Sequence, residues 1–272
     1  MKNGYKLAVS VIVPTYKPQS YIAECFKSIN NQSFCKNDFE VIVILNGERE
    51  PYYSFLENCL SEYLFNYKLL YTSVTGVSNA RNIGIEQSTG TYLAFIDDDD
   101  VISESYLLGL YNIAKNNRVP LSYIKAFTDD VSNNINYYYT NVYEKMLNKE
   151  LTVFNTRSYF SIVYCKLISR EMIGTHKFNE TFQNSEDALF MFTISKRKMT
   201  LQFTDKTAVY YRRIRNNSLN FRKISLLHKI KNQFRLVFAT VAVYLKAPTK
   251  YSFLFFLSRI LAYLRTITVR NS

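Results

Sequence analysis

Four consecutive carboxylates, Asp97, Asp98, Asp99 and Asp100, directly follow the apolar run YLAFI at 92–96. Like charges at adjacent positions repel one another, and a strand end restricts the directions in which they can separate. A hard divalent cation relieves that repulsion through oxygen ligands. In an extended or tight-turn backbone residues i and i+2 point to one side, so Asp97 and Asp99 can share a metal while Asp98 faces elsewhere. The same run also reads as a solvated acidic turn, with Asp100 capping the next helix.

Three further groups have types suited to a ligand. Val13, Pro14, Thr15 and Tyr16 end the first strand, where a ring beside a proline-fixed turn suits a nucleobase. With 23 tyrosines in the chain, packing is the other reading of Tyr16. Asn46 and Gly47 end the second strand; the amide suits the edge of a base, and Asn-Gly is also an ordinary turn dipeptide. Arg81 lies in GVSNARNIG at 76–84, at a helix start that favours anions, and its guanidinium fork suits a diphosphate. An arginine on the solvent face of an amphipathic helix is the alternative. Glu186 and Asp187 precede the apolar run ALFMF at 188–192. One of them suits a general base for a hydroxyl, and acids at a helix start also favour the helix dipole alone.

The elements that must position these groups follow from the apolar pattern. AVSVIV at 8–13 and EVIVIL at 40–45 are nearly free of charge, as strands covered on both faces are. Ile22, Cys25, Phe26 and Ile29 fall at helical spacing between them; further strands are expected at 67–72 and 92–96, with a helix over 77–87. This βαβ pattern predicts an α/β fold with a mostly parallel sheet, whose ligands bind beyond the carboxyl ends of its strands. A helix is expected over 103–116, capped by Ser103 and burying Leu107, Leu110, Tyr111 and Ala114. The polar, Asn- and Tyr-rich stretch 127–151 reads as a loop or a pair of strands. Order returns over 160–169, with a helix over 186–196 and a strand over 208–212. In the tail, Ile224, Leu227, Ile230, Phe234 and Val237 share one helical face, with Lys223, Lys231 and Arg235 on others.

Charge divides the chain. Of its 34 Lys and Arg, 14 lie in 206–272 with no Asp or Glu, which leaves 20 basic against 22 acidic residues in 1–205. A near-neutral body with a basic tail points to a separate anionic partner at that end and not to a nucleic-acid-binding protein basic on every face. Cys25, Cys35, Cys59 and Cys165 have neither zinc-site spacing nor the density of a secreted scaffold, so reduced thiols in a cytoplasmic protein are expected. No secretory signal opens the sequence, and the apolar tail segments at 236–245 and 251–264 are short for a span.

In order, VSVIVPTY, FEVIVILNG, GVSNARNIGI, GTYLAFIDDDD and KFNETFQNSEDALF resemble the family 2 glycosyltransferases of the Rossmann-like GT-A fold, over about 9–192. Tyr210, Tyr211 and Arg212, then Asn217 and Ser218, resemble the segment closing many bacterial members. The resemblance implies an inverting transfer from a nucleotide-diphosphate sugar, most often a UDP-sugar, with Mn²⁺ or Mg²⁺ as cofactor. Pro14, Thr15, Tyr16 and Asn46 would border the nucleoside, and Arg81 with Asp97 or Asp98 the uracil, ribose and phosphates. Asp99, the last acid of the family's Asp-x-Asp, would bind the metal with Asp97. Asp187 of the Glu186-Asp187 pair would be the base. Two departures stand out: Asn46-Gly47-Glu48 replaces the family's usual Asp-Asp-Gly-Ser turn, removing the aspartate expected at the base N3–H, and the run of four acids leaves the metal ligand ambiguous by one residue.

The resulting expectation is a transferase unit over 1–215, with a nucleotide-binding half of about 1–100 and an acceptor half of about 101–215. A basic amphipathic helical tail follows over 216–272. The acceptor would be a saccharide or lipid-linked molecule in surface polysaccharide or glycolipid synthesis. The tail would lie on the anionic inner face of the cell membrane, or else cover the domain or meet a second subunit in a homodimer. A catalytically silent scaffold would instead show no metal-dependent nucleotide affinity, and a nucleic-acid binder would show salt-dependent binding that survives loss of the acidic run.

Overall fold

The computed structural model describes residues 7–215 and 226–268. Its first half runs β1 (Val9–Thr15), α1 (Tyr21–Asn30), β2 (Phe39–Asn46), α2 (Tyr52–Leu60), β3 (Asn66–Thr72), α3 (Val77–Gln87) and β4 (Tyr92–Phe95). The second half runs β5 (Val101–Ile102), α4 (Tyr106–Ala114), β6 (Val119–Leu121), β7 (Tyr123–Phe127), β8 (Asn134–Ile135), α5 (Tyr138–Met146), β9 (Ile168–Ser169), α6 (Arg170–Ile173), α7 (Glu186–Ile194), β10 (Leu201–Phe203) and β11 (Val209–Arg213). The described tail is α8 (Leu226–Lys246) and α9 (Phe253–Thr268).

The main sheet has the order β3-β2-β1-β4-β9, parallel except for the short β9. Every residue of β1 and β2 is buried, because both faces are covered. Val9, Val11 and Val13 join the cluster that includes Ile22, Cys25, Phe26 and Ile29 of α1, whereas Ile12 packs into the cluster on the other face with Ala80. Burying each such side chain contributes roughly 1.5–3 kcal/mol. On that second face α3 lies close to the sheet: a Cβ on Gly84 would come within 2.5 Å of Ile12 Cγ2. Pro14 is tolerated in a central strand because pairing of β1 with β4 ends at Ile12 and Phe95. The chain turns at Tyr16, after β1, and not through Pro14 as the sequence suggests.

A second sheet, β5-β11-β7-β8, sets the geometry beyond β4. β5 follows the four acids directly and pairs antiparallel with β11, Tyr210 opposite Ile102 and Tyr211 opposite Val101. This pairing brings the end of β11 beside the acidic run.

Several elements differ from the sequence pattern. Asp100 caps no helix: α4 is preceded by Ser105, and Ser103 and Ser105 both donate to the Thr207 carbonyl. The expected inner face of α4 holds, with Leu107, Leu110 and Ala114 buried. The stretch read as loop or strands contains α5, whose Tyr143 and Met146, three residues apart, are buried. Helix α2 occupies the place between the second and third strands where the alternating pattern expects a helix without fixing its bounds. In α8 the buried line is Gln233, Leu236 and Thr240, so Leu227 and Phe234 are exposed. Leu227 and Phe234 of the expected apolar face are thus turned toward solvent, whereas Ile230 and Val237 are half-buried and Val237 packs against the Ala188 and Leu189 cluster; Lys223 and Ile224 lie outside the described residues, as do Asn217 and Ser218. Both tail helices pack on α7, Leu236 and Tyr263 against Ala188 and Leu189, and Phe255 against Phe192. All four cysteines are free.

Candidate active site

The carboxyl ends of β1 and β4 lie where the strand order reverses, and the acids project from there. Thr15 Oγ1 donates to Asp98 Oδ2 at 2.5 Å, tying the two strand ends together. Arg81, from the second turn of α3, is only 4% exposed. Its Nη2 donates to Asp97 Oδ1 at 3.0 Å and its Nη1 to Asp187 Oδ1 at 2.6 Å, with Glu186 Oε1 at 3.7 Å. Arg81 therefore bridges the strand-end acids to the acids that open α7, and the solvent-facing alternative is excluded. Burial works against its charge, but Asp187, Asp97 and Glu186 outweigh it and hold the guanidinium well above its usual pKa.

The acids respond to the same low-dielectric setting. Burial, with Asp99 and Asp97 adding to it, pushes Asp98 up to about 7 against the Thr15 hydrogen bond. Burial and then Asp187 push Glu186 up to about 7 against Arg81. Asp187 is also raised by burial, while Arg81, the Val163 amide and Lys166 pull it back. The Val163 N–H donates to Asp187 Oδ2 at 3.2 Å, so both carboxylate oxygens are oriented.

The carboxyl end of β2, beside that of β1, is built around Gly47. Its φ of +105° suits glycine, and an added Cβ would come within 2.8 Å of the Tyr16 ring. Tyr16 thus lies against bare backbone and is 46% exposed, which suits a stacking surface. Asn46 is 3% exposed and works inside the protein: its Nδ2 donates to the Thr15 carbonyl at 2.7 Å, and its Oδ1 accepts from the Gly76 N–H at 2.9 Å. It fixes the ends of β1 and α3 against each other. Pro14 is buried in β1 opposite Ile44.

β11 and the two residues after it supply a group whose contacts the sequence does not reveal. Tyr210 donates to Asp100 Oδ2 at 2.6 Å and accepts from the Asp97 N–H at 3.2 Å. The Arg213 N–H donates to Asp100 Oδ1 at 2.7 Å, its Nε to the Asp99 carbonyl, and its Nη2 to Glu24. Arg215 Nε pairs with Asp99 Oδ2 at 2.6 Å and stacks over Tyr21. The Tyr-Tyr-Arg segment is the available signal in sequence, but only the β5–β11 pairing shows what it touches.

The donor set bears on a metal. Asp100 is 2% exposed with both oxygens engaged, and Asp98 is held by Thr15. Asp97 and Asp99 each commit one oxygen to an arginine. Among the described residues no group of three His, Cys, Asp or Glu side chains forms a metal cage. Two carboxylates without a cage fit an ion of the Mg²⁺ type, which is commonly held by one or two carboxylates with substrate phosphates and water.

Solved structures share this architecture. TarS 1–349 of Staphylococcus aureus in complex with UDP-GlcNAc superposes with a TM-score of 0.73 at 20% identity, covering 95% of this chain and 72% of that one. The mannosyltransferase PcManGT from Pyrobaculum calidifontis, in complex with GDP-Man and Mn²⁺, gives 0.63 at 16% identity, covering 98% and 72%. The fold is GT-A. In sequence, residues 10–176 match the model of glycosyl transferase family 2. The chain belongs to that family. Poly(ribitol-phosphate) beta-N-acetylglucosaminyltransferase TarP of S. aureus is 26% identical over 246 residues, 89% of this chain and 72% of TarP. TarS of the same species, a poly(ribitol-phosphate) beta-N-acetylglucosaminyltransferase, is 33% identical over 98 residues, 36% of this chain. That match spans 17% of the length of TarS.

Proposed function

We propose that the protein transfers a sugar from a UDP-sugar to a hydroxyl of a saccharide or lipid-linked acceptor, with inversion, in the synthesis of a bacterial surface polysaccharide or glycolipid. The observation that carries this reading is the Arg81 bridge between Asp97 and Asp187. It would join the acids that hold the diphosphate's metal ion to the carboxylate that takes the proton. The relatives' names, which include surface ribitol-phosphate polymers and N-acetylglucosamine transfer, support the substrate class.

In this mechanism Tyr16 stacks on the base and Thr15 and Asp98 border the ribose. Asn46 shapes that pocket by holding β1 to α3. Asp99 and Asp97 would hold Mn²⁺ or Mg²⁺, and the bound ion supplies charge that offsets the developing negative charge of the departing diphosphate. Arg81 and Arg215 would then exchange part of their carboxylate contacts for phosphate, a change of partner that suits a planar guanidinium. Asp187 takes the proton from the acceptor hydroxyl as it attacks the face of the sugar opposite the leaving group. Its raised pKa makes it a stronger base than a solvated aspartate. Glu186 beside it keeps the pocket acidic and orients the acceptor.

Residues 1–215 form the transferase unit in this reading, with a donor half of about 1–100 and an acceptor half of about 101–215, and 216–272 the tail. The tail attaches the enzyme to the cytoplasmic face of the membrane. Its support is a ridge of exposed Leu227, Phe234, Phe238 and Leu245, spaced seven, four and seven residues apart and so on one line of α8. Exposed Lys231, Arg235 and Lys246 flank that ridge, as an anionic surface requires. Asp187→Asn tests the chemistry. It should lower kcat by about 10²–10⁴-fold with donor affinity unchanged, measured as UDP release and calorimetric UDP binding. Unchanged turnover would exclude Asp187 as the base.

A further inference from the structure

The segment 157–166 lies between the catalytic carboxylate and the tail, and two buried cations hold it. Lys166 is fully buried, and its Nζ donates to the Ile162 carbonyl at 2.8 Å and the Tyr164 carbonyl at 2.7 Å. Arg259, from α9, is 2% exposed. Its Nη1 donates to Ser161 Oγ at 2.8 Å, and its Nη2 to the Phe160 carbonyl at 2.9 Å and the Arg157 carbonyl at 3.3 Å. Between these two anchors lies Val163, whose N–H donates to Asp187 Oδ2.

α9 also touches the helix that carries Asp187. Phe255, one turn before Arg259, packs edge-on against Phe160 of the segment, at 5.7 Å between ring centroids, and at a tilt against Phe192 of α7, at 5.6 Å. Arg259 stands over the Phe255 ring at 5.2 Å. One turn of α9 thus contacts both the segment that supplies the amide and the helix that supplies the carboxylate. Burial lowers the pKa of Arg259 to about 10, which leaves it charged at neutral pH. A buried guanidinium bound to carbonyls and a hydroxyl fixes backbone geometry, because every acceptor it loses would be left unpaired in the interior.

We propose that Arg259, in the C-terminal tail, is a positioning residue for sugar transfer: it fixes residues 157–163 so that the Val163 amide holds Asp187 in its proton-accepting orientation. This rests on the assignment of Asp187 as base. The tail is then part of the catalytic apparatus as well as an attachment device, and whatever seats α9 on the domain also seats the base.

The test uses the full chain and amide hydrogen exchange at residue 163, with Asp187→Ala as the reference for a released amide. Arg259→Gln should raise exchange at 163 toward that reference and lower kcat for a UDP-sugar by about 10–100-fold, with donor KM and the calorimetric affinity for UDP and Mn²⁺ unchanged. Unchanged exchange at 163, or a loss confined to donor KM, overturns the proposal. If Arg259→Gln does not fold, Arg259→Lys decides. It keeps the charge and loses the planar fork, so it should show the same pattern at smaller size, and wild-type exchange and kcat in it overturn the proposal. Failure of the base assignment is distinguishable: Asp187→Asn would then turn over normally whatever exchange at 163 shows.

Discussion

Arg81 shows how a residue's role depends on partners far away in sequence. Its type and its place near a helix start are legible, but its three acidic partners come from the turn after β4 and from α7, at positions 97, 186 and 187. Spacing along the chain carries no such information. Glu40 is a second buried charge whose partners are equally distant. Its carboxylate accepts from Ser10, from the backbone and side chain of Thr89, and from Lys68. Burial alone would raise its pKa, yet these donors together lower it. A folded-state pKa below the unfolded one contributes stability above the ordinary carboxylate range, and this is lost as pH falls through the folded value. Glu40→Gln should therefore cost about 2 kcal/mol near pH 7, with the gap to wild type closing below about pH 4 in urea titrations.

At the scale of elements, the parallel sheet is readable because both faces of β1 and β2 are covered, which forces continuous apolar runs. Helices α1, α3, α4 and α7 are likewise set by apolar spacing and short polar breaks. What cannot be read depends on pairing between distant segments. The β5–β11 ladder joins 101–102 to 210–211, and neither strand is long enough to announce its partner. That ladder explains why Asp100 binds Tyr210 and Arg213 and caps no helix. α5 escapes the sequence pattern because its polar, Asn- and Tyr-rich composition hides the few residues it buries. Tyr210→Phe removes one donor to Asp100 and one acceptor for the Asp97 amide while keeping the ring stacked on Tyr164 at 4.7 Å. It should lower stability by about 1–3 kcal/mol and weaken UDP binding in the presence of Mn²⁺. Thermal unfolding and calorimetry check both effects.

For the whole molecule, charge and apolar surface are segregated. The body is near neutral, and the excess of positive charge lies in a tail that leaves Leu227, Phe238, Leu245, Phe253, Leu254 and Leu261 exposed. The charge asymmetry is plain in the sequence. Which tail face is buried is not, because α8 has apolar residues on both sides and only packing on α7 chooses between them. Among the described residues no helix is long and apolar enough to cross a membrane. If the exposed ridge lies at a bilayer surface, as proposed, Phe238→Glu combined with Leu245→Glu should abolish cosedimentation with phosphatidylglycerol vesicles. Turnover on a water-soluble acceptor should stay within about twofold of wild type, since neither side chain meets the cleft.

In the proposed reaction the acidic strand end receives a metal-bound nucleotide diphosphate. Calorimetric titration of UDP, with and without Mn²⁺, against wild type and Asp99→Ala tests it most directly. UDP should bind the wild type only with Mn²⁺ and should lose that binding in Asp99→Ala. Absence of binding by UDP and other nucleoside diphosphates with Mn²⁺ present would contradict the claim and leave a GT-A fold without transferase chemistry.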